Sequence, residues 1–401
     1  MWVKQLSGQD VINLLRELVR TPSPSGAEGD VAGLVKDFLL DAGVDEAFID
    51  SVGNVVARLR GKGFGPALIE GHLDTVDTGS LEQWHVDPFA AKIIDGKLYG
   101  RGAADMKGGI ASQISALAGL KEMDLDLYVV YTVHEETAEG ASIARTLSTV
   151  LRNVRFEVAV TGEATSLNLG VGHRGRAVID VRICGRSAHA SMPEEGVNAL
   201  LGASKLAMLA TNAAQGLPEH SILGKETLTP SVIRCMPEDV PQIPDQCVLT
   251  IDHRVIISRS PEDVLALYDG ICKELLGAGD VISCQPRLRE ETIRTWAGVD
   301  LRVREFFPAW LNEDRSMIKE VLRALKRSYQ YATKHVWRFS TDLAYVSGVL
   351  GVSGLGLGPG DESMAHKPDE HVEVVEVKKA VELYRKLLNT LNEIITSRHR
   401  K

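Results

Sequence analysis

The sequence predicts an α/β protein: a mixed, mostly parallel sheet flanked by helices, interrupted by a ferredoxin-like α+β domain. Three observations carry that expectation. The 401 residues exceed what one core usually holds, so two domains are expected. Short apolar runs separated by helical stretches imply strands covered on both faces. In mid-chain the order becomes strand–helix–strand–strand–helix–strand, the ferredoxin-like order, and then the earlier alternation resumes.

The elements follow in order. Val11, Leu14, Leu15 and Leu18 keep helical spacing, with Ser7 or Gly8 as the cap. "TPSPSG" at 21–26 is a loop, because three of its six residues are Pro or Gly. "EGDVAGLVKDFLLDAG" is a second helix, ended by Gly43. "NVVARL", "PALIEG", "DLYVVYTV" and "FEVAVTG" read as strands; "MKGGIASQISALAGLKEM" and "EGASIARTLSTVL" read as helices. After "GVGHRGR" come a longer strand, "AVIDVRICGRSAHA", and a helix, "GVNALLGASKLAMLA". Two strands follow, "TLTPSVIRC" and "QCVLTIDHRVII", then a helix opened by Ser260-Pro261 and the strand "DVISCQPRL". We assign 176–292 to the inserted domain, and 1–175 with 293–401 to the larger one. "SMIKEVLRALKRSY", "KHVWRF", "VSGLGLGPG" and a last helix at 374–396 complete the latter.

Composition narrows the function. Apolar residues are 44% and charged residues 25%, as in soluble globular proteins. The net charge of −9, with no basic block, argues against a nucleic-acid partner. No apolar run reaches about 18 residues, which excludes a transmembrane helix, and the charged N-terminus is no signal peptide. Five scattered cysteines with no CxxC suggest neither a disulfide framework nor a cysteine zinc site. Reduced thiols and a cytoplasmic location are the expectation.

Ligands of open α/β sheets lie beyond the carboxyl ends of the strands, so those ends are informative. "PALIEGHLDTV" ends in His72 and Asp74; "GRGAADMKGG" places Asp105 just before a helix. "VVYTVHEET" ends in Glu135 and Glu136, "VAVTGEAT" in Glu163, and "GPGDESMAHKPDE" supplies His366 from a loop. Any one of these is ordinary, since a lone His is usually structural and a lone carboxylate solvated or capping. Five ligand-type residues at the ends of separate segments are not ordinary. Histidine and carboxylate without cysteine suit zinc, cobalt or manganese. The set is too large for one catalytic zinc and about right for two metals sharing a carboxylate. Asp74, two residues from His72 in an extended segment, is expected to accept a hydrogen bond from its far ring nitrogen.

Taken together, "GHLDTV", "GRGAADMKGG", "HEE", "GEAT", "RSAHAS" and "AHKPDE" resemble the M20 family of zinc metallopeptidases, in order and over nearly the whole chain. That family includes acetylornithine deacetylase, succinyl-diaminopimelate desuccinylase, carboxypeptidases and dipeptidases. "GHRGRAVIDVRICGRSAHASMP", "FFPAW" and "WRFSTD" look most like its selenium-metabolism hydrolases. The resemblance implies two divalent metals, zinc by family habit, with cobalt or manganese as alternatives. His72 and Glu163 would hold one, Glu136 and His366 the other, and Asp105 would bridge. Asp74 would orient His72, and Glu135 would be the general base. His189 would reach the partner subunit's site in a homodimer formed through the inserted domain. Arg254 and Thr341 would hold a substrate carboxylate. The implied reaction is amide hydrolysis of a small N-acyl amino acid or short peptide by metal-activated water. Glu163 stands where some relatives carry Asp, which bears on metal preference and subgroup. A metal-free hydrolase with paired carboxylates fits less well, because such pairs flank a bond from opposite sides. A non-catalytic binding protein on the same fold is the other alternative.

Overall fold

The computed structural model describes residues 8–120, 122–238 and 241–400. The first helix, Gly8–Arg20, buries Val11, Leu14, Leu15 and Leu18, the residues that keep helical spacing. Ser7, one of its two expected caps, lies outside the described residues.

Among the described residues the larger sheet has nine strands. Its centre is parallel: Leu125–Thr132, Phe64–His72, Val158–Thr161 and Ser353–Gly356 lie side by side in that order. Antiparallel strands flank it, Val55–Leu59 on one side and Leu169–His173 on the other. One face carries Leu15, Ile114, Val321 and Leu387 from four helices against Ile69 and Tyr131. The opposite face packs Ile143, Leu147, Trp337 and Leu343 on Leu68, Val130 and Ala159. Burial on both faces explains why these strands read as continuous apolar runs. It also leaves the strand ends as the places where polar groups can gather.

The chain leaves this sheet after Leu169–His173 and enters a second one. Among the described residues that sheet pairs Thr227–Met236, Gln246–Val255, Gly175–Cys184 and Ser283–Leu288, all antiparallel, with the short Phe306–Phe307 added to Gly175–Cys184. Helices Ala199–Ala213 and Pro261–Gly277 cover it, burying Leu206, Ala210, Tyr268 and Leu275 on Ile179, Leu249 and Ile251. Ser260 caps the second helix reciprocally with Asp263, and Pro261 occupies its first turn. The first and third strands in chain order lie centrally, the ferredoxin-like arrangement. The chain rejoins the large sheet at Trp310–Leu311, opposite Gly172 and His173.

The cysteine expectation is corrected. Cys235 is bonded to Cys247, and Cys272 to Cys284; Cys184 is free. Cys235 and Cys247 face each other across paired strands, and Cys272 comes from the helix above Cys284. Such pairs need no CxxC: sheet register and helix packing bring together residues twelve apart. The thiol argument for a reducing compartment therefore falls. No helix among the described residues is long and apolar enough to cross a membrane.

Candidate metal centre

His72 is the last residue of its strand and is almost fully buried. Its Nδ1 lies 2.9 Å from the backbone carbonyl of Asp74. A carbonyl only accepts, so Nδ1 is the donor and Nε2 is turned toward the carboxylates. The Asp74 carboxylate, expected as that partner, stays 3.7 Å away. Its oxygens are engaged elsewhere. They accept the amides of Glu135 at 3.0 Å and Glu136 at 3.1 Å, and the Ser25 hydroxyl at 2.6 Å.

That contact changes the reading of "HEE". The strand Leu125–Thr132 stops short of the glutamates. His134 takes a left-handed φ of 60°, and Glu135 and Glu136 open a four-residue helix, Glu135–Ala138. Free amides at a helix start need acceptors, and the Asp74 carboxylate supplies them. Neighbours on a helix fan apart by about 100°, so the two side chains diverge from one anchored turn and not from a strand tip.

Asp105 sits in the kinked turn Ala103–Lys107, ahead of the helix Gly108–Leu117, with extended φ/ψ of −123° and 95°. Glu370 holds this turn. Its carboxylate accepts the amides of Gly102, Ala104 and Asp105 within 3.0 Å and pairs with Arg101 at 2.7 Å. Glu163 follows the strand Val158–Thr161. A Cβ on Gly358 would come 2.3 Å from the Glu163 carbonyl, so only glycine lets "GLGLGPG" pack there. His366 lies in a loop after Glu362–Met364, its side chain 54% exposed.

The five expected ligands converge. His72 Nε2 is 3.0 Å from Asp105 Oδ1 and 3.6 Å from Glu163 Oε1. His366 Nε2 is 3.4 Å from Asp105 Oδ2 and 2.8 Å from Glu136 Oε2. Asp105 thus presents one oxygen to each histidine. Ligand atoms of His72, Asp105 and Glu136 all lie within 4.8 Å of one another, as do those of His72, Glu135 and Glu163.

The electrostatics are those of a crowded anionic hole. Burial, and then the Asp105 charge, raises Glu136 to about 7 and Glu163 well above the carboxylate range. Burial raises Glu135 well above it too, against the pull of His72. Burial opposes charge on His72, but the hydrogen bond to Asp105 and the charges of Glu163 and Glu135 outweigh it and hold the ring well above the usual imidazole range. Burial likewise opposes Asp105 ionisation, and its bonds to His366 and His72 overcome that and hold it low. Bonds to Asp105 and Glu136 push His366 up to about 10. Among the described residues no Lys or Arg pairs with any of the five. Two imidazoles and three carboxylates with no Lys or Arg between them fit two divalent ions, which would take the place of the ring protons.

Three other expected residues lie outside this cluster. His189 is exposed and its ring bonds Ser191, with no bond to the site. Arg254 is bound by Asp252 at 2.8 and 3.1 Å. Asp252 also meets Arg176, which reaches Glu139 at the end of the short helix begun by Glu135. Thr341 is buried; its amide donates to His173 and its hydroxyl accepts from the Leu343 amide. Both residues therefore sit where the two sheets meet.

Several supports escaped the sequence reading: Ser25, Glu28, Asp342 and Glu370. Glu28 accepts the amides of Gly26 and His134, and burial raises it to about 7. Asp342 accepts the Thr132 hydroxyl and the Gly140 amide, both at 2.6 Å, which fixes the far end of the glutamate segment. These acids meet partners about 100 to 270 residues away. Only the adjacency of Asp342 to Thr341 and of Glu370 to "AHKPD" hinted at them.

Comparison with known proteins agrees with this architecture. Residues 68–390 match the model of peptidase family M20/M25/M40. The uncharacterized protein YgeY of Escherichia coli K12 is 31% identical over 369 residues, 90% of this chain and 89% of that protein. A probable succinyl-diaminopimelate desuccinylase of Staphylococcus epidermidis is 34% identical over 202 residues, 49% of each chain. The M20 metallo-carboxypeptidase Sso-CP2 of Sulfolobus solfataricus shares the fold, with a TM-score of 0.75 at 17% identity over 96% of this chain and 99% of that one. The chain belongs to the M20 peptidase family.

Proposed function

We propose that this protein is a two-metal hydrolase that cleaves the amide bond of a small N-acyl amino acid or a short peptide. One observation carries the reading: the Asp105 carboxylate faces both His72 and His366, with Glu163 and Glu136 outside them and, among the described residues, no Lys or Arg paired with any of them. His72 with Glu163 would hold one ion, Glu136 with His366 the other, and Asp105 both. Zinc is the first candidate, cobalt and manganese the alternatives. Bound there, such ions polarise a carbonyl and lower the pKa of a water.

The chain's own groups do the rest. Glu135 pairs with no Lys or Arg among the described residues and lies beside His72 and Glu163, where its carboxylate could take a proton from water and return it. Its carboxylate accepts the water proton and then donates it to the leaving nitrogen. Asp74 holds the two amides, so base and ligand keep their spacing. His189 would donate to the developing oxyanion from a partner copy, the kind of contact worth about 10²–10³ in rate. Support for a homodimer through 176–292 comes from the edge strand Thr227–Met236, which exposes Val232, Ile233 and Met236, and from Leu201 and Met208 on the covering helix. Arg254 and Thr341 would take a substrate carboxylate, Arg254 exchanging Asp252 for it.

Deacylase and peptidase are both served by this chemistry. The desuccinylase relative favours the first and the carboxypeptidase neighbour the second. A binding-only role is disfavoured because both base and ligands are present. The deciding experiment loads the purified chain with Zn²⁺, Co²⁺ or Mn²⁺. It is then assayed on N-acetylornithine, N-succinyl-diaminopimelate, other N-acyl amino acids and dipeptides, before and after chelation. Turnover abolished by chelator and restored by metal is expected; chelator-resistant turnover would overturn the proposal.

A further inference from the structure

The molecule has a groove of about 1220 Å³ that contains none of the metal-site residues. One wall is the helix Arg315–Lys326 of the larger domain; the other holds Ile222 and Ile257 of the inserted domain. Arg315, Lys319, Arg323 and Lys326 all line the first wall, and Lys334 stands at the edge of the neighbouring strand. All five are exposed, and none has an ion pair or side-chain hydrogen bond among the described residues. Elsewhere on this acidic chain, surface cations such as Arg58, Lys205 and Arg398 do have carboxylate partners. Glu313 is the one acid lining the groove among the described residues. The floor is apolar, with Leu311, Leu322 and Val336 half-buried beneath the cations.

The spacing says what kind of anion fits. Arg315, Lys319 and Arg323 repeat every fourth residue, so they rise by about 6 Å each and drift by only about 40° per step. An extended peptide presents alternate side chains on one side every ~6.7 Å. Carboxylates at alternate positions would therefore meet successive cations, and the intervening side chains would point toward the apolar floor. A single nucleic-acid strand has a similar charge spacing, but it needs aromatic faces for its bases. Among the described residues the groove is lined by no Phe, Tyr or Trp.

The geometry points to a docking site for an extended segment of a partner protein in which acidic and apolar residues alternate. It spans both domains and is separate from the metal centre. Apolar burial and several solvent-exposed ion pairs would share the affinity, and the ion-pair share should fall with salt.

The test uses the full-length Glu135→Gln chain, so that hydrolysis does not consume the probe. A fluorescent, end-capped octapeptide of alternating Glu and Val is titrated by anisotropy. Saturable binding is expected, weakened about tenfold or more by Lys319→Glu with Arg323→Glu. Weakening is also expected from exchanging the peptide's Val for Ser. A Lys326→Glu, Lys334→Glu pair should reproduce the loss, and thermal melts of both pairs exclude unfolding as its cause. Absent binding, binding indifferent to both charge-reversed pairs, or equal affinity for an octathymidylate would each overturn the proposal.

Discussion

In the inserted domain, Asp180 accepts hydrogen bonds from Arg289 and Thr250, and Glu226 meets Arg259 and His253. At the end of the His72 strand, Glu70, Glu135 and Glu163 are equally buried and have no Lys or Arg partner among the described residues. A buried carboxylate must be paired, neutralised or bound to a cation from outside. The inserted domain carries its counter-charges in its own sequence. The strand-end cluster concentrates acids around two histidines and has no such Lys or Arg partners among the described residues, which leaves its charge to protons or to a bound cation. The same fold thus holds one set of buried carboxylates paired with basic side chains and another without them, and the difference can be attacked experimentally.

The largest expected effect lies in the cluster. Glu136→Gln should lower metal content below the wild-type value, expected near two ions per chain, and abolish turnover. Glu135→Gln should cut kcat by about 10²–10⁴-fold while leaving metal content unchanged. Elemental analysis alongside kinetics separates the two. Equal metal loss in both variants would erase the distinction between ligand and base.

The next effect is a pH dependence. Glu28, Glu70 and Glu136 have folded-state values of about 7, 8 and 7, above the ordinary 4.5. The metal-free folded state therefore holds more protons than the unfolded chain between about pH 5 and 8. Its stability should fall as pH rises through that window. The raised values of His72 and His366 act in the same direction, their contribution beginning to be lost above about pH 6.5 and continuing beyond this window. Bound metal opposes the loss. The gap in Tm between metal-loaded and chelated protein should widen from pH 5.5 to 8, by about 5 °C or more. A gap that narrows across a fluorimetric pH series would refute the account of the cluster.

The inserted domain should behave differently. Asp180→Ala takes from Arg289 its nearest carboxylate and from Thr250 its acceptor, and should cost about 1–3 kcal/mol in denaturant unfolding, with metal content unaltered. Metal loss in that variant would show that the domains are not independent in this respect. The smallest effect is expected of Ser25→Ala, which removes one bond to Asp74. It should cost about 1 kcal/mol and lower kcat modestly, with KM and metal content near normal.

Much of this organisation was legible in the chain because it is local. His72, Glu163 and the parallel strands could be read because doubly covered strands are apolar runs, and the polar residue that ends each run stands out against it. The inserted domain could be read from the order of its elements. Other features were opaque. The carboxylate of Asp74 serves the amides of Glu135 and Glu136, while its carbonyl serves His72, and spacing alone suggested the reverse. The glutamates read as a strand tip, because nothing local records that an acceptor 61 residues upstream would start a helix there. The cysteine pairs depend on strand register and helix packing, which an odd count and a missing CxxC conceal.

The sequence by itself determined which ligand-type residues stand at the strand ends and in what order the elements run, since composition and periodicity act over a few neighbours. Tertiary structure alone decided which oxygen of Asp105 faces which histidine, which carboxylates have no cation, and which cations line a shared groove. Those outcomes depend on the directions in which distant backbones aim their side chains, and burial, which sets the energy of a charge, exists only once the chain has closed around it.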